Sequence, residues 1–143
     1  MKKTEQTVKQ YLDSLDESVQ ADMHTLHEKI SQHMPGVTPK LWEGVFWGGS
    51  QQAIIGYGDM TFTRSDKTTV EWFMVGLSMQ KNYISVYISA TEDGKYVVKK
   101  YGDRLGKAKI GSSSVSFKKI DDIKLDELLK LVDIAQGQLK DLK

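Results

Sequence analysis

One set of residues that could hold a ligand lies between positions 102 and 114. There Gly102, Gly106 and Gly111 interleave with Arg104, Lys107 and Lys109. Glycines let backbone N–H groups approach an anion closely, and the cations add charge. The spacing is not that of a nucleoside-triphosphate loop. Gly106-Lys107 is followed by Ala108, where a Ser or Thr would be needed, and the segment leads into a strand pattern instead of a helix. Two readings stay open: an anion-binding loop carried by Arg104, Lys107 and Lys109, or an ordinary glycine-rich connection.

A second set is acidic. Residues 13–28 hold Asp13, Asp16, Glu17, Asp22 and Glu28 with no Lys or Arg. Hard cations prefer carboxylate oxygen, and clustered carboxylates without a closed cage hold one only weakly. Asp13, Asp16, Glu17 and Asp22 are the candidates for such a site. A helix N-terminus also attracts acids through its macrodipole alone. His24 and His27, three apart, have a spacing that can bring two imidazoles to one metal, or simply face solvent. His33 falls on the core side.

Catalysis finds little support. Glu43 and Glu71 each stand beside a Trp inside a strand pattern, and acid–base work would require the fold to bring them together. Ser112, Ser113 and Ser114 have no histidine nearby in sequence, and there is no cysteine. The chain therefore reads as a binding protein and not an enzyme.

The elements that must position these residues follow from periodicity. Thr4 to Leu12 suits a short helix. Ser14-Leu15-Asp16-Glu17 has the form of a capping box, and Val19, Met23, Leu26 and Ile30 make the apolar stripe of a second helix ending at Pro35-Gly36. From residue 40 the period changes to that of strands: Leu41 to Trp47, Gln52 to Tyr57, Met60 to Arg64, Thr68 to Ser78 and Tyr83 to Ser89. Gly48-Gly49-Ser50, Gly58-Asp59, Ser65-Asp66-Lys67 and Gln80-Lys81-Asn82 read as the connections, short enough for antiparallel neighbours. The strand around Trp72 is apolar at both parities and belongs at the centre. Thr91 to Tyr101 is read as a short helix, with Thr91 as N-cap and Gly102 after its end. A strand over Val115 to Lys118 and a helix from Leu125 to Leu139 complete the chain.

At 143 residues with no cysteine and a net charge of +1, this is one domain, 1–143, able to bury a core without disulfides. The longest all-apolar stretch, Trp72 to Val75, is far too short for a membrane span. The start of the chain does not read as a signal peptide, and the expected compartment is the cytoplasm. Residues 95–119 carry eight Lys or Arg against the single acid Asp103. Such stretches are commonly solvated faces, and they are also where charged partners land. The nearly neutral total argues against nucleic acid.

The segment Tyr101-Gly102-Asp103-Arg104-Leu105-Gly106-Lys107-Ala108-Lys109-Ile110-Gly111 resembles the YdhG-like domain family, as do Phe117-Lys118-Lys119-Ile120 and the Leu-rich helix that follow. Tyr11-Leu12-Asp13-Ser14-Leu15 ahead of a long helix ending at Pro35-Gly36 is similar to that family's N-terminus. The resemblance spans nearly the whole chain. One departure is Leu41-Trp42-Glu43-Gly44-Val45-Phe46-Trp47-Gly48-Gly49, where many members have a proline-containing turn. The resemblance implies an antiparallel sheet backed by helices, and a frataxin-like iron-chaperone role with weakly bound iron.

The expected fold is a two-layer α+β sandwich: about five or six antiparallel strands, with N-terminal and C-terminal helices on one face. Two helical stripes cannot easily cover both faces of that sheet. Trp42, Trp47, Trp72, Tyr83 and Tyr87 are therefore expected to supply an aromatic face for a ligand or protein partner. The expected ligands are iron on the acidic residues or a small anion on the loop.

Overall fold

A computed structural model describes residues 2–3, 8–45, 51–63, 66–80 and 83–141. The chain is an α+β sandwich. Two strands and two helices open the order around a long connection: β1 (Lys2–Lys3), α1 (Val8–Asp13), α2 (Glu17–His33) and β2 (Lys40–Val45). Then come β3 (Gln51–Thr63), β4 (Thr69–Met79), β5 (Ile84–Ile88), β6 (Thr91–Glu92), β7 (Lys95–Tyr96) and the one-turn α3 (Val97–Lys100). The chain ends with β8 (Lys109–Ile110), β9 (Ser114–Phe117) and α4 (Leu125–Asp141). The main sheet has the order β1-β2-β3-β4-β5-β9-β8, with every pair antiparallel. β4 sits at its centre, as its two-sided apolarity requires.

One row of directly opposed residues shows how the layers meet. Leu41, Ile55, Leu77, Val86, Val115 and Ile110 lie side by side across six strands. All belong to or pack on a core shared with Met23, Leu26 and Ile30 of α2 and with Leu128, Val132, Ala135 and Leu139 of α4. The two long helices thus cover one face. Burying those side chains is the main source of stability, roughly 25 cal/mol per Å² of apolar surface removed from water. Hydrogen bonds fasten the layer: His33 Nδ1 meets Asp133 Oδ1 at 2.7 Å between the helices, and Gln138 exchanges two bonds with the backbone of Thr91.

Four local expectations are corrected. Gly58-Asp59 is not a turn: β3 runs through it as one 13-residue strand. Gly58 has φ +84°, and a Cβ there would stand 2.5 Å from Leu139 Cδ2, so the glycine marks a kink where α4 presses on the sheet. Thr91 to Tyr101 is not one helix. Asp93 (φ +55°) and Gly94 (φ +80°) make the two-residue turn of a β6–β7 hairpin, and helix begins only at Val97. Ser14 does not close a capping box: its hydroxyl donates backwards to the Tyr11 carbonyl at 2.6 Å, and α2 starts at Glu17 with no side-chain cap. The loop of residues 102–114 contains the two-residue strand β8, which extends the sheet by one edge.

The first helix is seen over Val8–Asp13; the remainder of its expected range, Thr4 to Thr7, lies outside the described residues, as do Phe46 to Ser50 with Trp47. Gln20 Nε2 donates to the carbonyls of Leu12, Asp13 and Leu15, satisfying the end of α1 from the next helix.

Candidate functional site: a basic pocket at the sheet edge

Strand alternation assigns the remaining rows to the face away from the long helices. One such row is Ser78, Ser85, Ser116 and Lys109, opposed across β4, β5, β9 and β8. The Ser85 and Ser116 hydroxyls share a 2.9 Å hydrogen bond, which satisfies two polar groups in the middle of the sheet. Ile84 stands opposite Phe117, so the next positions outward are Tyr83 and Lys118. Tyr83, Lys107 and Lys118 lie just beyond the ends of β5, β8 and β9, next to this row. These side chains converge at one end of the edge strand.

There they line a pocket of about 350 Å³, bounded by Lys107, Ala108, Lys109, Ser116, Lys118, Tyr83, Phe117 and Asp122. That volume falls within the range of small-molecule sites, roughly 300–1,000 Å³. Phe117 is buried, while Tyr83 remains 40% exposed. Lys107, Lys109 and Lys118 line it together with Asp122. None of these four charges forms an ion pair with a described residue. Mutual repulsion among lysines left in this way is relieved by an incoming anion.

The pocket wall is held before any ligand arrives. The Lys107 N–H donates to the Asp122 carbonyl at 2.8 Å, and the Lys124 N–H donates to the Leu105 carbonyl at 2.8 Å. Leu105 is fully buried. Between these bonds Gly106 (φ +91°) bridges to Ile123, and a Cβ on it would lie 2.9 Å from the Asp122 carbonyl oxygen. Only glycine fits that conformation and that approach. The turn closes with the Gly111 N–H on the Ser114 carbonyl at 2.8 Å.

The residues expected from sequence separate into groups. Lys107 and Lys109 line the pocket, joined by Tyr83. Arg104 does not line it; its guanidinium stacks 5.2 Å from the Tyr101 ring centre. Lys118, Ser116, Phe117 and Asp122 were missed as site residues. Lys118 was visible in the basic stretch, but only strand register shows it beside Tyr83.

Of the expected aromatic face, Trp42 is buried, Trp72 and Tyr87 are half-buried and Tyr83 is exposed. Trp42, 1% exposed, forms a second cluster with Ile54 and Phe73, against which Trp72 and Tyr87 are half-buried. Trp42 meets Phe73 edge-on at 5.7 Å, and Trp72 stacks on Phe73 at 4.6 Å. Burial pushes the Tyr87 phenol up from its ordinary value. Trp47 lies outside the described residues.

Of the four acidic residues, Asp13 and Asp22 have partners. Asp16 is the N-cap residue of α2, Glu17 occupies its first turn, and Asp13 lies 3.6 Å from His24. Asp22 accepts the Ile120 N–H at 3.1 Å, tying α2 to the turn after β9. Among the described residues no three His, Asp or Glu side chains are grouped so as to hold a metal ion. His27 turns inward: its Nδ1 lies 2.6 Å from the hydroxyl of the fully buried Tyr57. Burial, then the nearby His24, lowers the His27 pKa, and burial, then Tyr11, raises that of Tyr57. In neutral His27 the tautomer decides which of the two groups donates in this bond.

Fold and site together define a small α+β domain with a preformed basic pocket at a sheet edge. No family model, curated protein or solved structure matches the chain. Among the described residues no helix is long and apolar enough to cross a membrane.

Proposed function

We propose that this protein is a non-enzymatic binding module that takes a small anionic ligand in the pocket of Lys107, Lys109 and Lys118. The observation that carries this reading is a pocket lined by Lys107, Lys109 and Lys118, none ion-paired to a described residue, on a wall already fixed by backbone hydrogen bonds. Preorganisation of this kind lowers the ordering cost of binding. The frataxin-like iron role implied by the resemblance would call for gathered carboxylates, and the described residues offer no group of three. The anion reading is therefore preferred.

Thermal unfolding tests it. Phosphate raises the melting temperature by mass action on the folded state, beyond a chloride control of equal ionic strength. The triple variant Lys107→Ala, Lys109→Ala, Lys118→Ala loses that increment. The variant Lys95→Ala, Lys99→Ala, which removes positive charge outside the pocket, keeps it. An equal increment in the triple variant, or none in the native chain, contradicts the reading.

A further inference from the structure

We infer that the pocket is built for a nucleoside phosphate and not for an inorganic anion. The inference rests on the anion reading above and concerns two features that reading leaves unused. The first is Tyr83. This ring is 40% exposed, one of two such aromatics among the described residues with Tyr96, and it lines the pocket with Lys109 and Lys118. An exposed ring next to cations is the arrangement that stacks a base while the backbone phosphate is neutralised.

The second feature is Asp122. A carboxylate lining an anion pocket repels a bare phosphate, so its presence there works against inorganic phosphate or sulfate. Its side chain has no hydrogen-bond or ion-pair partner among the described residues, although its backbone carbonyl holds the Lys107 N–H. A carboxylate is an acceptor only, and two adjacent sugar hydroxyls are donors that match it. Acidic residues recognise ribose in this way in other nucleotide sites.

The three chemistries therefore divide a ligand into parts: phosphate on Lys107, Lys109 and Lys118, a planar ring on Tyr83, and hydroxyl donors on Asp122. The volume of about 350 Å³ suits one such unit. Stacking tolerates any base, so the identity of the ring is left unselected.

Titration calorimetry on the full chain separates the parts, with adenosine 5′-monophosphate, phenyl phosphate, adenosine and inorganic phosphate as probes. The monophosphate is expected to bind at least about tenfold tighter than inorganic phosphate, in line with one base stack. Tyr83→Ala removes roughly that tenfold for both ring-bearing phosphates and leaves inorganic phosphate unchanged. Tyr83→Phe retains it. Asp122→Asn weakens the monophosphate, leaves phenyl phosphate no weaker, and strengthens inorganic phosphate. If the monophosphate binds no tighter than inorganic phosphate, or Tyr83→Ala changes neither ring-bearing probe, the nucleotide inference is overturned while the anion reading stands. If none of the charged probes binds, both fail.

Discussion

Gly56 and Gly76 face each other across β3 and β4, and the space their missing side chains leave is filled by the rings of Trp42 and Phe73. A Cβ on Gly56 would stand 2.5 Å from Trp42 Nε1. One on Gly76 would stand 2.6 Å from Phe73 Cε1 and 2.9 Å from Ile54 Cγ2. The glycine pair is what allows an indole to lie flat against the sheet and be buried there.

Gly76→Ala should therefore destabilise the fold by about 1–3 kcal/mol, the usual cost of overpacking a filled core. Urea denaturation followed by tryptophan fluorescence reads it as a lower midpoint with an unchanged slope. A midpoint equal to that of the native chain would show that Phe73 and Ile54 move aside freely.

The same chemical change has opposite signs at two other glycines. Gly94 has φ +80° in the hairpin turn with nothing within 4 Å of an added Cβ, so only backbone strain acts, and Gly94→Ala should cost about 1 kcal/mol. Gly137 lies exposed within α4 with equally open space, so Gly137→Ala should stabilise by about 0.5–1 kcal/mol through helix propensity. Thermal melts of the two variants should move in opposite directions.

These glycines also show how far the sequence could be read. The stripe of Met23, Leu26 and Ile30, the alternation of Ile84, Val86 and Ile88, and the helix from Leu125 were legible because each buries one periodic face. Asp93-Gly94 was a hairpin signal in plain view, but a plausible N-cap at Thr91 and charges placed for a helix dipole outweighed it. Gly58 failed as punctuation for a different reason: its role is to admit Leu139 from the far end of the chain, a contact no local pattern records. The pocket was half legible. Lys107 and Lys109 announced themselves by spacing, whereas Lys118, Asp122 and Tyr83 joined them only through register and the pinning of the Leu105–Lys107 turn to Asp122–Lys124. The acidic residues drew attention by type, yet Asp22 is engaged by a backbone N–H nearly a hundred positions away.

His27 gives the fold a defined response to acid. Its pKa is lowered in the folded state from 6.5, chiefly by burial, so the unfolded chain binds the proton more readily. The stability it allows is complete above pH 6.5 and is lost as pH falls through its folded-state pKa. Protonation also makes both ring nitrogens donors, so the bond with the buried Tyr57 hydroxyl must then run from His27. The fall in melting temperature between pH 7.5 and pH 5.5 should be smaller in His27→Gln than in the native chain. A fall of equal size in both would assign the acid sensitivity to other groups.

The central claim is the location and charge of the binding site, and amide chemical shifts measured during a phosphate titration test it most directly. The changes should saturate and should be confined to the amides of Tyr83, Ala108, Lys109, Phe117, Lys118 and their neighbours in the Gly106–Gly111 and Ile120–Asp122 segments. The triple lysine variant should show none of them. Saturable shifts centred instead on Asp13 to Asp22, or no saturable shift anywhere, would contradict the account.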